Sequence, residues 1–407
     1  LHRLRDRDQG HSLTGAGTIR EREARYLMQT YPRSDVVFVA GDGAILVDEE
    51  GREYLDFLSG IAVTSLGHGN RELVEAATEQ MARLDHVSNL FYTEPMVDLA
   101  ERLSEGSIGG PVFFANSGSE ANECAIKVLR KHAAARGIDS PEVITFEGAW
   151  HGRTYGAMAA TPALVDQADL GPMLPGFIQV PFDDPDALES AFGPNTAGVM
   201  IETIQGEAGV RPFSEATLEL ARRLTRDAGA LLVLDEVQTG VGRTGSLWSY
   251  QQFGIVPDVM TTAKALGGGM AIGACVNSEE LGQVLAPGDH GSTFAAGPVA
   301  SAVAGRVLEI VDRPETLRRV REAGGRLVDG LVGLSGVESV RGRGLMLGAA
   351  LESGLDSAAV RDELLGRGLV VNAPRPDTLR LLPPFVVSDD QIDRALEILG
   401  EVLAEAR

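Results

Sequence analysis

The fold is decided by the stretch ALLVLDEVQTGVGRTGSLWSYQQFGIVPDVMTTAKALGGG, residues 230–269. It holds two short apolar runs, ALLVLDEV (230–237) and DVMTTA (258–263), which we predict to be strands. Nearly continuous apolar strands are typical of a parallel sheet covered on both faces. Asp235 lies at the end of the first apolar run, and Lys264 directly follows the second. The stretch therefore predicts both a sheet and a chemical site at its edge.

The same alternation continues toward the N-terminus. AGVMIETI (197–204) precedes a predicted helix from Glu215 to Ala228, EVITFE (142–147) precedes a Gly-containing loop, and PVFFA (111–115) precedes the helix-like SEANECAIKVLRKHAA. Strands separated by helices predict an α/β fold with a mostly parallel central sheet. Ligands of such sheets bind beyond the carboxyl ends of the strands.

The two ends of the chain follow other patterns. A short helix is predicted near residues 19–29, followed by two strand-like runs, DVVFVAGDGAILVDEEG and REYLDFL. After about residue 313, long helices alternate with the shorter strands VESV, LMLGAAL and LRLLP. We therefore predict a mobile tail (1–19), an N-terminal segment packing with the small domain (20–65), a large domain (66–312) and a small α+β domain (313–407).

Composition excludes several classes of protein. The 407 residues include 36 basic and 58 acidic ones, a formal charge of −22, which disfavours binding to nucleic acid and to anionic membrane surfaces. No apolar run reaches the 18 residues of a spanning helix. Cys124 and Cys275 are the two cysteines, and no Cys/His cluster has metal-ligand spacing, so we predict no metal site and no disulfide. The charged opening LHRLRDRDQG does not resemble an export signal, so we expect a cytoplasmic protein.

Lysine is rare in this chain: Arg supplies 33 of the 36 basic residues. Lys127 and Lys131 lie one turn apart on a charged helix face, where a solvated role is expected. Lys264 instead follows an apolar strand and precedes a glycine run. An amine that is partly desolvated there has a lowered pKa and can form a Schiff base. The alternative is a surface lysine beside a flexible turn.

Asp235 ends its strand 29 residues before Lys264. A carboxylate there either caps a helix or pairs with a cation, because an unpaired buried charge is costly. An acid and a lysine at neighbouring strand ends fit pyridoxal phosphate, whose ring nitrogen needs an acidic partner.

Two further strand ends carry polar residues. Asn-Ser-Gly-Ser (116–119) opens a helix and could be an anion site or an ordinary N-cap. Trp150-His151-Gly152-Arg153 offers an aromatic face and a guanidinium, or a half-buried Trp beside a surface Arg. We expect His151 to be a structural hydrogen-bonding residue. No GxxxxGK[ST] and no GxSxG motif occurs, so neither a P-loop nor a hydrolase elbow is supported.

The motifs together resemble the class III, fold-type I pyridoxal-phosphate aminotransferases, most closely the N-acetylornithine aminotransferases. The resemblance runs from about residue 20 to the C-terminus. It is carried by SNLFYTEP (88–95), FFANSGSEAN (113–122), AWHGRT (149–154), IQGEAGV (204–210), LDEVQTGVGRTG (234–245), TTAKALGGG (261–269), HGSTF (290–294) and RLLPP (380–384).

The resemblance implies a role for each matching residue. Lys264 is similar to the Schiff-base lysine that moves a proton, and Asp235 to the partner of the pyridinium nitrogen. The other implied cofactor contacts are Gln238 at the phenolic oxygen, Val237 and Trp150 on the two ring faces, and Gly118 and Ser119 at the phosphate, completed by Thr293 from a second subunit. The implied substrate contacts are Arg153 with the partner subunit's Ser292 at the α-carboxylate, and the pair Glu207 and Arg380, in which Glu207 neutralises Arg380 when the amino donor binds.

Some positions depart from the family pattern. Trp150 replaces Phe or Tyr, Thr203 replaces Pro, Ser119 replaces Thr, and AAGP (295–298) replaces GGNP. Ile61 stands where ornithine δ-aminotransferases typically carry Tyr, which favours an N-acylated donor over free ornithine.

The resemblance implies transfer of the terminal amine of N-acetyl-L-ornithine to 2-oxoglutarate by a cytoplasmic homodimer with shared active sites, a step of arginine biosynthesis. Other amino donors stay open, namely succinylornithine, a carrier-linked lysine precursor and 4-aminobutyrate. So do an aminomutase or decarboxylase on the same fold, and a cofactor-binding protein without activity.

Overall fold

The structure is a computed structural model that describes residues 18–162 and 168–406. The predicted mobile tail, residues 1–19, lies outside these residues except for its last two. Thr18 caps the first helix through its side chain, and Ile19 begins that helix. The helix ends at Tyr26, three residues earlier than predicted, because Leu27 adopts an extended backbone.

The described chain contains seventeen strands in the order of the sequence. They are β1 (Phe38–Asp42), β2 (Ile45–Asp48), β3 (Glu53–Asp56), β4 (Gly109–Ala115), β5 (Glu142–Phe146), β6 (Phe177–Val180), β7 (Thr196–Ile201), β8 (Ile204–Gln205), β9 (Arg211–Pro212), β10 (Leu231–Asp235), β11 (Val259–Thr262), β12 (Gly273–Ser278), β13 (Val337–Arg343), β14 (Met346–Leu351), β15 (Leu369–Val370), β16 (Asn372–Arg375) and β17 (Thr378–Leu381).

The helices of the described residues cover these strands. They are α1 (Ile19–Tyr26), the short turn α2 (Ser59–Ala62), α3 (Arg71–Arg83), α4 (Glu94–Glu105), α5 (Gly118–Ala135), α6 (Tyr155–Ala159), α7 (Pro185–Ser190), α8 (Glu215–Ala228), α9 (Pro298–Val311), α10 (Pro314–Val332), α11 (Ser357–Gly366) and α12 (Asp389–Glu405). No helix among the described residues is both long and apolar enough to cross a membrane.

The central sheet has seven strands in the order β4-β12-β11-β10-β7-β5-β6. The pairs β11/β10, β10/β7, β7/β5 and β5/β6 are parallel, as predicted, whereas β12 runs antiparallel to both of its neighbours. The strand β12 was not among the predicted ones. The parallel register sets Asp235 of β10 beside Thr261 of β11, three residues before Lys264. This register brings the two predicted residues to the same edge of the sheet.

Two four-stranded sheets and the two-stranded hairpin of β8 and β9 lie outside the central one. The strands β13-β14-β17-β16 form an antiparallel sheet in the C-terminal part. In the other sheet, β1, β2 and β3 pair with β15, which comes from the C-terminal part and runs parallel to β3. Backbone hydrogen bonds between β3 and β15 thus join the N-terminal part of the chain to the C-terminal part. The residue bounds of the two domains stay a prediction.

Local sequence accounts for the helices flanking the site. Helix α8 begins and ends where predicted, because the Ser214 side chain accepts the N–H of Thr217 and Gly229 ends the helix in the left-handed conformation. Helix α5 begins after Ser117, whose side chain accepts the N–H of Glu120. Nearly half of α5 is buried against the sheet, including Ala121, Ala125 and Leu129. This burial fixes the N-terminus of α5 at the sheet edge.

Candidate active site

A cavity of about 380 Å³ opens where β4, β5, β10 and β11 end. All four predicted strand ends contribute to its walls. The lining residues are Val63, Asn116, Ser117, Gly118, Ser119, Asn122, Trp150, His151, Gly152, Glu202, Asp235, Val237, Gln238, Ala263, Lys264, Gly269, Met270, Ala271 and Ile272. A cavity of this size at the carboxyl ends of parallel strands is the usual place for a ligand in this fold class.

Lys264 enters the cavity directly after β11. Its backbone has φ +47°, a left-handed conformation that costs a non-glycine residue free energy and is found at functional sites. Burial lowers the pKa of the Lys264 amine; the charge of Glu207 opposes this shift and that of Arg380 adds to it. The environment therefore favours a neutral, nucleophilic amine.

Asp235 contacts three hydrogen-bond donors. Its Oδ2 accepts from Asn122 Nδ2 and from His151 Nδ1, both at 2.8 Å, and its Oδ1 accepts the N–H of Val237 at 3.0 Å. Thr261 in turn donates to the amide oxygen of Asn122 at 2.7 Å, which fixes the amide orientation. Asp235 is 3 % exposed, so this network gives the buried carboxylate the partners it needs.

Sequence reasoning missed Asn122 as a member of this site. It lies four residues after Gly118 on α5, so both face the same side of the helix. That spacing could have identified Asn122 from the sequence. The contact between His151 and Asp235 could not be predicted in this way, because the two residues are 84 positions apart. His151 is a hydrogen-bonding residue here, and its buried Nε2 has no partner among the described residues.

Glu202 is a second residue that sequence reasoning missed. It follows β7, lines the cavity, and accepts the N–H of Trp150 at 3.0 Å and that of Gly206 at 3.3 Å. Burial, reinforced by the charge of Asp235, raises the pKa of Glu202 to about 7. One carboxyl group therefore joins the loop that holds Trp150 to the loop that leads to Glu207.

The N-terminus of α5 forms one wall of the cavity. Its first N–H groups lack partners within the helix, which makes this end attractive to an anion. Gly118 is required because a Cβ there would lie 2.6 Å from Cγ1 of Val237. Ser119 accepts the N–H of Arg153 at 3.2 Å. Gly118 and Val237 are therefore packed directly against each other.

Trp150 and Arg153 lie together at the mouth. The Arg153 guanidinium carbon is 4.8 Å from the centroid of the Trp150 ring, within the range of a cation–π contact. Trp150 lines the cavity, whereas the Arg153 side chain is exposed. The structure thus leaves the Arg153 guanidinium accessible to an incoming carboxylate.

Glu207 and Arg380 are not among the residues that line the cavity, but both contact Gln238, which does. Nη1 of Arg380 donates to Oε1 of Glu207 at 2.5 Å and to Oε1 of Gln238 at 3.1 Å, and its Nη2 donates to Asn372 at 2.8 Å. Burial is the largest single influence and raises the pKa of Glu207, but the charge and hydrogen bond of Arg380, together with Lys264 and Gln238, outweigh it and leave the pKa below its usual value. The buried Nε of Arg380 has no partner among the described residues, so this guanidinium retains an unused donor.

Ser292 and Thr293 were predicted to act across a subunit boundary. In the single chain, the Ser292 hydroxyl accepts from Asn116 Nδ2 at 2.8 Å. The side chain of Thr293 is exposed and is not part of the cavity wall formed by the described residues. The structure therefore brings Ser292 to the rim and leaves Thr293 outside it, and the contribution of a second subunit stays a prediction.

Two departures from the family pattern are accommodated locally. Thr203 donates to the hydroxyl of Ser249 at 2.7 Å, which satisfies the polar group that a Pro would lack. Ile61 has φ +64° within α2 and packs in an apolar cluster that includes Ile204 and Leu382. This cluster lies beside the loops of Glu207 and Arg380, so Ile61 supports that end of the site.

The residues present fit pyridoxal phosphate. The helix N-terminus at Gly118 and Ser119 suits the phosphate, the apolar side chain of Val237 and the Trp150 ring suit a flat aromatic ring, and Asp235 offers a carboxylate to a protonated ring nitrogen. Lys264 supplies an amine in the same cavity.

Comparison with known proteins agrees with this geometry. The family model Aminotransferase class-III matches residues 28–403. An acetylornithine aminotransferase of Caldanaerobacter subterraneus subsp. tengcongensis is 43% identical over 390 residues, covering 95% of this chain and 99% of the relative.

Two solved structures extend the comparison. The N-acetylornithine aminotransferase of Stenotrophomonas maltophilia has a TM-score of 0.82 and 37% identity, with 95% of this chain and 98% of that chain covered. The ornithine aminotransferase of Toxoplasma gondii has a TM-score of 0.90 and 31% identity, covers 95% of this chain and 93% of its own, and holds pyridoxal phosphate at partial occupancy in its active site. With the fold, the cavity and these similarities together, the chain belongs to the class III aminotransferases, enzymes that use pyridoxal phosphate.

Proposed function

We propose that the protein transfers the terminal amine of N-acetyl-L-ornithine to 2-oxoglutarate, giving N-acetyl-L-glutamate 5-semialdehyde and L-glutamate. The observation that carries this proposal is the ion pair between the buried Arg380 and the partly buried Glu207, whose charges both act on the Lys264 amine. The names of the relatives support the same donor. Such a pair can face a neutral acyl group or open for a second carboxylate.

The residues of the cavity have separate proposed roles in holding the cofactor. Gly118 and Ser119 bind the phosphate, Trp150 and Val237 enclose the ring, Gln238 contacts its phenolic oxygen, and Asp235 binds the protonated ring nitrogen. When bound, the cofactor acts as an electron sink for the electron pair left on the substrate carbon. Asn122 and His151 keep Asp235 oriented, because both donate to its Oδ2.

Lys264 is the proposed acid–base group. Its neutral Nζ would take the proton from the substrate carbon and hold it for return within the same half-reaction. Burial favours the neutral amine by lowering its pKa, so a larger share of the amine is in the form that accepts a proton.

Arg380 and Glu207 are proposed to serve both substrates in turn. With the acylated donor bound, Glu207 stays on Arg380 and the side-chain end of the substrate meets a neutral pair. With 2-oxoglutarate, the side-chain carboxylate replaces Glu207 at Nη1 of Arg380. Arg153 is proposed to bind the α-carboxylate together with the partner subunit's Ser292.

We also propose a homodimer in which Thr293 of each subunit completes the phosphate site of the other. Leu90, Phe91, Tyr92 and Phe294 are 65–96% exposed, which is unusual for a cluster of large apolar side chains. Asn89, next to this patch, donates to the backbone oxygens of Ser292 and Ala295. The patch therefore adjoins the segment proposed to reach the second site.

We further propose a cytoplasmic location, because both cysteines are free thiols, as expected in a reducing compartment.

The decisive experiment is an absorbance titration of the cofactor-loaded protein with N-acetylornithine, followed by 2-oxoglutarate. We expect the near-visible band of the bound cofactor to fall with the donor and to return with the acceptor. If the absorbance band is unchanged by N-acetylornithine but falls with succinylornithine or 4-aminobutyrate, the amine that lowers it is the donor in place of N-acetylornithine. Turnover of the donor without a 2-oxo acid would favour an aminomutase or decarboxylase.

A further inference from the structure

Three arginines lie together at the hairpin that carries Glu207. The hairpin consists of β8 and β9, in which Gln205 pairs with Arg211. Arg211 lies on β9, Arg341 on β13 and Arg375 on β16, so three separate strands contribute to what we call the arginine cluster. None of these three residues belongs to the cavity described above.

Two members of the cluster flank the tip of the hairpin. Arg341 Nε donates to the backbone oxygen of Gly209 at 2.7 Å, and its Nη2 donates to the Thr378 hydroxyl at 2.8 Å. A Cβ on Gly209 would lie 3.0 Å from Nη2 of Arg341 and 3.1 Å from Cγ of Arg375. Both side chains therefore meet at the same backbone position, two residues from Glu207.

Arg211 brings a third positive charge to this place. Its guanidinium carbon lies 3.7 Å from the centroid of the Phe182 ring. Burial lowers the pKa of Arg211, and the charges of Arg341 and Arg375 lower it further, while Glu147 and Asp183 act in the opposite direction. The positive charge around the hairpin is thus only partly offset.

The cluster is unusual because this chain has acidic residues in excess. It carries 58 acidic and 36 basic residues, and most of its ion pairs join Arg to Asp or Glu. Within residues 18–162 and 168–406, no carboxylate oxygen lies within 4.0 Å of a guanidinium nitrogen of Arg211, Arg341 or Arg375. Glu147 and Asp183 act on Arg211 only from beyond ion-pair distance, so the three mutually repelling arginines have no direct carboxylate partner among the described residues and can accept an external anion.

We propose that the arginine cluster binds a small dianion, a phosphate or a dicarboxylate, and that the bound anion restrains the hairpin 204–212. Guanidinium groups bind such oxyanions through paired N–H donors. Arg375 is exposed and makes the cluster accessible, whereas Arg341 ties the anion site to the hairpin tip. The site is separate from the catalytic cavity, so its test does not depend on the identity of the amino donor.

The test is calorimetric titration of the cofactor-loaded protein, at low ionic strength, with inorganic phosphate and separately with malonate. The variant is Arg375→Ala, whose side chain is exposed, and the matched control is Arg223→Ala, an exposed arginine on α8. We expect saturable binding that weakens about tenfold in R375A and is unchanged in R223A, since one charge-assisted contact is lost. Binding of phosphate alone or malonate alone would support the site and identify its anion.

The second readout is hydrogen exchange of the backbone amides of residues 206–210. The bound anion should slow their exchange in the native protein and in R223A, and much less in R375A. Absence of saturable binding, or binding that is equally strong in R375A, would overturn the proposal. Binding without slower exchange at the hairpin would overturn its second part, the restraint.

Discussion

Oε1 of Glu207 lies 2.5 Å from Nη1 of Arg380, a guanidinium that is 1 % exposed. The two residues are 173 positions apart and come from β17 and from the hairpin of β8 and β9. Gln238 and Asn372 hold the same guanidinium, so two of the contacts of Arg380 do not depend on Glu207. A fixed cation with a movable partner is a simple way for one site to accept both a neutral and an anionic side chain.

Replacing Glu207 with Ala should change the two half-reactions unequally. The acylated donor would then face an unpaired positive charge, and its half-reaction should slow by about tenfold or more, while that of 2-oxoglutarate should change little. Rapid mixing of each substrate with the cofactor-loaded protein measures both rates. The variant Glu207→Gln keeps a hydrogen bond without the charge, so its rate with the acylated donor should lie between those of the native protein and Glu207→Ala. Equal slowing of both half-reactions would contradict the proposed switch.

Replacing Lys264 with Ala should abolish turnover while the protein keeps some bound cofactor, because the phosphate end of the site is untouched. Dialysis followed by cofactor assay measures retention, and a coupled glutamate assay measures turnover. Lys127→Ala is the matched control, since its amine contacts Asp289 and His290 on the surface and should leave activity intact. Full activity of K264A would refute the assigned role.

Replacing Asp235 with Asn should lower turnover by about a hundredfold or more, because a neutral amide cannot hold the ring nitrogen protonated. The new amide would also turn an NH₂ group toward Asn122 or His151, which both donate to the native carboxylate. Steady-state kinetics at saturating cofactor separate this loss from weaker binding. Asp329→Asn, an exposed position on α10, serves as the control. Unchanged turnover in D235N would contradict the role of this carboxylate.

Glu202 should make stability depend on pH. Burial raises its pKa to about 7, so the folded state holds a proton that the unfolded state releases above about pH 4.5. The free energy of unfolding should therefore fall as the pH rises from about 4.5 to 7, and this part of the fall should disappear in Glu202→Gln. Urea unfolding at pH 5 and pH 7.5 measures the difference.

Glu236→Gln is the matched control for Glu202. Burial also raises the pKa of Glu236 to about 7, but its carboxylate binds Thr239 and the N–H groups of Ser249 and Tyr250 away from the cavity. Both variants should flatten the pH dependence of stability. Only E202Q should also slow turnover, because it disturbs the loops of Trp150 and Glu207. Equal turnover in the two variants would show that Glu202 has no influence on the site.

Mixing two inactive variants tests the shared site. Lys264→Ala and Thr293→Asp should each be inactive, the second because its carboxylate repels the cofactor phosphate. If Thr293 acts on the other subunit, each mixed dimer has one intact site, and an equal mixture should recover about a quarter of the native activity. Activity that stays at the level of the separate variants would place Thr293 in its own subunit's site or outside both.

Local patterns predicted most of the elements flanking the site. Helix α8 has the predicted bounds because Ser214 caps its start and Gly229 ends it, both short-range effects. The strands before Asp235 and Lys264 were recognised because each is a short apolar run. The strand β12 was missed because it contains Gly, Cys, Asn and Ser, and only pairing with β11 and β4 makes it a strand.

The α/β pattern, the strand ends that carry Asp235 and Lys264, and the family motifs could be predicted from the sequence, because they depend on neighbouring residues. Folding of the whole chain was needed to show that Asn122 and His151 hold Asp235, that Glu202 joins two loops, and that three arginines lie together at the hairpin of Glu207. Each of these contacts links residues from separate strands, helices or loops. Their positions depend on sheet order and register, which hydrogen bonds between distant strands set and no local pattern encodes.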